Sequence, residues 1–193
     1  MTAGGHQVKG ESAVVELTAD LFISADGYAL GENSGPYFGY GGPELDRWVQ
    51  AQLSQPHLDV MGRVTYEALA AVSAGSDPDS KRMTAQPKAV VSSTLREPLN
   101  WANTRLISGD AGPAIDSLKR ASEVPLRTVG SLTLVRSLFG LGLVDRLRLA
   151  VFPLVLGPDG REPAFGGYQR MGLDLAASTV LDGRIVLLEY QPG

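Results

Sequence analysis

The 193-residue chain carries 44% hydrophobic and 20% charged residues, proportions that suit one globular domain with a sizeable core. A formal charge of −4, a pI near 5.2 and scattered basic residues exclude a general attraction to nucleic acid, and no apolar run is long enough to span a bilayer. With no cysteine, disulfides, thiolate nucleophiles, cysteine zinc sites and iron–sulfur ligation are excluded together, and a cytoplasmic location is permitted.

Residues 1–12, MTAGGHQVKGES, are polar and lack the apolar core of a secretory signal, so they read as a flexible tail before a single domain over 13–193. AVVELTADLFIS, residues 13–24, holds the first strand. The following ADGYALGENSGPYFGYGG, with six glycines and the aromatics Tyr37 and Phe38, reads as a long mobile segment of the kind that often serves function. Pro43 opens a helix, PELDRWVQAQLS, with Glu44 and Asp46 near its positive end and Leu45, Trp48, Val49 and Leu53 as its apolar face.

In DVMGRVTYEALAA, residues 59–71, a buried strand hands over to a helix through Gly62 and Arg63. SAGSDPDSKRMTAQP then reads as a polar loop closed by Pro87, before strands in KAVVSS (88–93) and NTRLIS (103–108). AGPAIDSLKRA is helical with Pro113 in its first turn, and LRTVG returns to strand at 126–130. From Ser131, Leu132, Val135, Leu138 and Phe139 fall at helical spacing, while VDRLRLAVFPLVLG alternates Leu147, Leu149 and Val151 as a strand. Asp182-Gly183 between two apolar segments is a hairpin signal. The order predicts an α/β fold: a mostly parallel central sheet flanked by helices, with an antiparallel C-terminal hairpin.

His6 and His57 are the only histidines, and the metalloprotease, P-loop, nucleophile-elbow and G-x-G-x-x-G patterns are absent. Three junctions do carry anion-friendly chemistry: Gly62-Arg63-x-Thr65, Ser92-Ser93-Thr94 and Gly130-Ser131. Helix N-termini, hydroxyls and an arginine fork all hold phosphates. Each junction alone is also what a tight turn or a helix cap looks like.

Taken together, FISADGYAL, DVMGRVTYEAL, AVVSSTL and VGSLTLVRSLFGLGLVDRLRLAVFPLVLG resemble the dihydrofolate-reductase-like superfamily. Within it, the chain looks like stand-alone proteins similar to the C-terminal reductase domain of the bacterial bifunctional deaminase-reductase of riboflavin biosynthesis. That resemblance implies a dihydrofolate-reductase-like three-layer fold and an NADPH-dependent reductase of a small heterocyclic or ribosylamino substrate. The 5-amino-6-ribosylaminouracil phosphate is the implied type substrate. Gly62, Arg63 and Thr65 would hold cofactor phosphates, with Arg63 near the adenosine 2′-phosphate and Ser92 and Ser93 on the same adenosine end. Gly130, Ser131 and Leu132 would lie against the pyrophosphate, Asp26 beside the nicotinamide, and Asp46 where such reductases carry a substrate-binding carboxylate.

The resemblance also implies a cytoplasmic homodimer, with the apolar C-terminal strands as its expected interface. Asp145-Arg146 and GPDGREPAF (157–165) depart from the family pattern and are expected toward the substrate end. Lacking cysteine, the chain cannot build the deaminase zinc site. The competing reading is a nucleotide-binding module that keeps the fold without turnover.

Overall fold

The computed structural model describes residues 14–193, so residues 1–13, including His6, lie outside the described residues. Eight strands form one sheet in the order β5-β4-β3-β6-β1-β7-β10-β9. Their ranges are β1 Leu17–Ser24, β3 Leu58–Gly62, β4 Lys88–Val91, β5 Thr104–Ile107, β6 Leu126–Thr128, β7 Arg146–Phe152, β9 Leu173–Leu181 and β10 Ile185–Pro192. Each neighbour pair from β5 to β7 is parallel, and β10 runs antiparallel to β7 and β9. The Asp182-Gly183 turn joins β9 to β10 with both residues at positive φ, 50° and 65°, as such a hairpin turn needs.

The two faces of the sheet differ. Odd positions of β1 (Leu17, Ala19, Leu21, Ile23) join Leu126, Leu147 and Leu149 in an apolar layer. Helices α4 (Ala111–Ala121) and α5 (Leu132–Gly140) cover it through Ile115, Leu118, Val135 and Leu138. Side chains such as Leu126 and Leu138, fully buried, each contribute about 1.5–3 kcal/mol relative to exposure. The even positions face the other way, toward α1 (Pro43–Ser54), whose Leu45 is fully buried against Ala150, Phe152 and Leu187. On the same face α2 (Arg63–Val72) packs Tyr66 on Met61, Val90 and Trp101.

Three features differ from the sequence expectations. The polar stretch before Pro87 contains a helix, α3 (Pro78–Ala85), because Asp77 accepts bonds from the Asp79 and Ser80 amides and Pro78 occupies the first turn. The glycine-rich segment contributes β2 (Tyr28–Gly31), which pairs antiparallel with β8 (Gly160–Pro163) in a small second sheet. It also forms a 3-10 turn at Pro36–Gly39 that sets Tyr37 and Phe38 against Phe152. Third, Asp145 and Arg146 belong to the far end of the sheet. Asp145 accepts from the Leu17 amide and from Lys119 Nζ, each at 2.6 Å, and Arg146 pairs with Glu16 at 2.5 Å and Glu189 at 3.2 Å. They tie the first residues of β1 and β7 to α4 and β10 instead of reaching a substrate.

Candidate functional site

Every helix needs partners for its first amides. Asp77 supplies them for α3 and Asp110 for α4. For α1 they come from across the molecule: Asp182 in the hairpin turn accepts from the Glu44 and Leu45 amides, each at 3.0 Å, while Glu44 accepts from the Asp182 amide. Helices α2 and α5 have no side-chain cap, their N-cap positions being Gly62 and Ser131. These two uncapped ends touch. A Cβ on Gly62 would overlap the Ser131 hydroxyl, and one on Gly130, at φ 56°, would lie 3.0 Å from Thr65 Oγ1. Gly62, Thr65, Gly130 and Ser131 thus form one corner in which two positive helix ends and their free amides converge.

The corner opens into a cleft of about 570 Å³ on the charged face of the sheet. Gly130, Ser131 and Leu132 form one end of its lining, and Phe22, Tyr37 and Trp48 supply aromatic walls. Phe22 meets Tyr37 and Trp48 edge-on, with centroids 5.3 and 6.3 Å apart. Tyr37 sits at φ 53°, a strained conformation for a bulky residue, and its phenol is raised above its ordinary pKa by burial and by Asp46.

Charge of alternating sign runs through the sheet at and behind the floor, where Asp20, Asp59 and Arg127 line the cleft. Register places Glu189, Arg148 and Asp20 side by side on β10, β7 and β1, and Arg127, Asp59 and Lys88 side by side on β6, β3 and β4. Arg148 clamps Asp20 with two bonds of 2.6 and 2.7 Å, donates to the Gln52 side chain and lies over the Trp48 ring. Arg127 donates to the Gln52 carbonyl at 3.0 Å and approaches Asp20 at 3.5 Å. Lys88 donates to the carbonyls of Met83, Thr84 and Gln86, and burial lowers its pKa to about 8 against the opposing effect of Asp59. His57, buried at the rim, stands 3.2 Å from Asp59.

The sequence candidates fall into different places. Gly62, Thr65, Gly130, Ser131 and Leu132 come together. Arg63 is beside them on the exposed side of α2, with Nη1 2.7 Å from Glu67. Ser92 follows the strand next to Gly62, but its buried hydroxyl accepts the Thr94 and Leu95 amides, and Ser93 is exposed. Asp26 accepts from Ser24 Oγ and from the Gly157 and Leu156 amides, bonds that hold its carboxyl at about 2. It clamps the first turn to the loop before β8. Asp46 is on the exposed side of α1, while Trp48, Val49, Gln52 and Leu53 of that helix line the cleft. Sequence reading passed over Asp20, Arg127 and Arg148, and reached Glu162 only as part of GPDGREPAF, the segment expected toward the substrate end. The available signal was charge at alternate strand positions, as in the Arg146 and Arg148 that interleave with Leu147 and Leu149.

The family described as the RibD C-terminal domain matches residues 15–187. The chain belongs to that family. As a RibD C-terminal domain protein it is 24% identical over 180 residues to the uncharacterized protein YyaP of Bacillus subtilis strain 168, covering 90% of this chain and 93% of that one. A putative riboflavin biosynthesis protein from Shewanella sp. PV-4 matches with a TM-score of 0.70 and 20% identity, over 93% of this chain and 99% of that one. The dihydrofolate reductase of Enterococcus faecalis, complexed with NADP(H) and RAB-propyl, matches with a TM-score of 0.63 and 14% identity, over 92% and 96%. The architecture is therefore dihydrofolate-reductase-like, and membership of the RibD C-terminal domain family supports a reductase-like function. No helix among the described residues is long and apolar enough to cross a membrane.

Proposed function

We propose that the protein is an NADPH-dependent reductase acting on a small planar heterocyclic or ribosylamino substrate. The observation that carries this reading is the pair of uncapped helix N-termini at Gly62 and Ser131, closed to side chains by Gly62 and Gly130 and opening straight into an aromatic-walled cleft. Amides at the starts of α2 and α5 hold the pyrophosphate, Thr65 and Ser131 add hydroxyls, and Leu132 abuts it. Arg63, with Ser92 and Ser93 on the neighbouring strand end, faces the adenosine 2′-phosphate. The bound cofactor supplies a hydride. Phe22, Tyr37 and Trp48 orient the accepting ring and exclude water, and Gln52 is fixed by Arg127 and Arg148. Asp26 acts through the loop it clamps, and Asp46 acts on the site through its field on Tyr37.

Titrating the protein with NADPH and NADH while following nicotinamide fluorescence tests the reading. Arg63→Ala is expected to weaken NADPH by about tenfold, the loss of a charge-assisted contact, and NADH by much less. Equal losses would take Arg63 off the 2′-phosphate, and no NADPH binding at all would sink the reading. Binding without turnover across pterins and ribosylaminouracils selects the module that keeps the fold alone. The exposed edge strand β9, with Leu173, Leu175 and Val180 open to solvent, fits a homodimer through the C-terminal strands. Sedimentation equilibrium would return a monomer if that assembly is wrong. The cysteine-free sequence fits the reducing cytoplasm.

A further inference from the structure

A cleft that takes a phosphate ester keeps a cation available for it. Here the cations are already engaged. Of the cations that line it, Arg127 is held by Gln52 and Asp20, while Arg148 and Lys88 lie buried behind the lining, held by Asp20 and Gln52 and by three carbonyls respectively. At the rim, Arg82 pairs with Asp79 at 3.0 Å and donates to Gln50 at 3.1 Å. The cleft-lining carboxylate left over is Glu162 of β8, which makes no ion pair or side-chain hydrogen bond among the described residues. Its backbone is at φ 55°, the left-handed region that side chains rarely adopt, and its side chain is exposed to solvent at the mouth of the cleft.

We propose that this cleft selects an unphosphorylated planar heterocycle, turning ring N–H donors or positive charge toward Glu162, and rejects the phosphate esters of the same rings. The inference rests on reading the cleft as the substrate pocket beside the bound cofactor. A phosphate monoester brings a charge of about −1.5 to −2 at neutral pH. In this cleft it would meet Glu162 uncompensated, and would have to draw Arg127 from Asp20 and Gln52, or Arg82 from Asp79 and Gln50, to gain a cation. An amino-substituted ring instead gives Glu162 the partner it lacks, while its faces lie against Phe22, Tyr37 and Trp48.

The test needs no NADPH. Tryptophan fluorescence of the full chain, which reports from Trp48 and Trp101 in the cleft lining, is titrated with two matched pairs. These are 6-hydroxymethylpterin and its phosphate monoester, and 5-amino-6-ribitylaminouracil and its 5′-phosphate. The unphosphorylated member of each pair is expected to bind about tenfold tighter or more, the cost of a like-charge contact. Glu162→Gln, at an exposed position, is expected to narrow that gap with an unchanged melting midpoint. Equal or tighter binding of the phosphates, binding by neither member, or a gap untouched by Glu162→Gln would overturn the proposal. Because the cofactor is titrated separately, an absence of NADPH binding beside a clear preference for unphosphorylated rings would count against the reductase reading alone.

Discussion

The proposed cofactor corner and the cleft floor are neighbours built on opposite principles. At the corner, Gly62 and Gly130 leave side chains out beside Thr65 and Ser131, so that backbone amides would be the binding groups of the proposed site. At the floor and just behind it, Asp20, Arg127 and Asp59 with the buried Arg148 and Lys88 fill the space with charges that cancel one another. The corner should therefore tolerate loss of charge and fail on added volume, and the floor should do the reverse.

The largest expected effect is on the floor. Asp20→Ala strips Arg148, only 8% exposed, of its bidentate partner, and urea unfolding at pH 7 is expected to register a loss of about 3–5 kcal/mol. Asp20→Leu combined with Arg148→Met should recover most of it, since a buried ion pair often adds little net stability over apolar residues of similar volume. A double variant that is stable yet no longer binds heterocycles would mean that the floor is kept for the site. A double variant as unstable as Asp20→Ala would mean that the pair is structural and that the contrast with the corner is misdrawn.

A smaller loss is expected at the corner. Gly130→Ala places a methyl group in the left-handed region and 3.0 Å from Thr65 Oγ1, at a cost of about 1–2 kcal/mol. If the corner holds the phosphates as proposed, its effect on NADPH binding should exceed its effect on stability, because the methyl group would tighten the gap they need. Calorimetric titration beside a thermal melt separates the two. Unchanged NADPH affinity would remove Gly130 from the cofactor and leave it as an ordinary turn.

The same contrast explains what could be read from the sequence. Gly62-Arg63-x-Thr65 and Gly130-Ser131 are each contiguous, because a strand-to-helix junction is made by residues next to one another along the chain. Likewise Asp182-Gly183 announced its hairpin, and the strand–helix alternation announced the parallel sheet, since both follow from local periodicity. The floor left only a fainter trace, charge at alternate strand positions, with no contiguous motif. Asp20 and Arg148 meet only because β1 lies beside β7, and Asp59 and Lys88 only because β3 lies beside β4. Register is a property of the assembled sheet, so no single stretch of the sequence displays these pairs. Asp46 stands out in the sequence and Asp20 does not, for the same reason. Acids at a helix start are easy to see, whereas the face that α1 turns to the cleft, Trp48 and Gln52, is fixed partly by Asp182 capping that helix from 137 residues away.

The smallest effect probes the end of the row. Lys88 has no carboxylate clamp like that of Arg148. Burial lowers its pKa from 10.5 to about 8, and Asp59 offsets only part of that. Between those two values the unfolded chain binds a proton that the native protein has released, so this group makes stability rise with pH across the window. Below about 8 both states are charged and the burial cost is constant; above 10.5 both are neutral and the gain is complete. Relative to Lys88→Met, the natural protein should gain up to about 1 kcal/mol on going from pH 7 to pH 9, read from urea midpoints. Parallel curves for the two proteins would mean that the carbonyls of Met83, Thr84 and Gln86, with Asp59, keep Lys88 charged as firmly as Asp20 keeps Arg148. The floor would then be balanced along its whole length, and the contrast with the corner would hold from one edge of the cleft to the other.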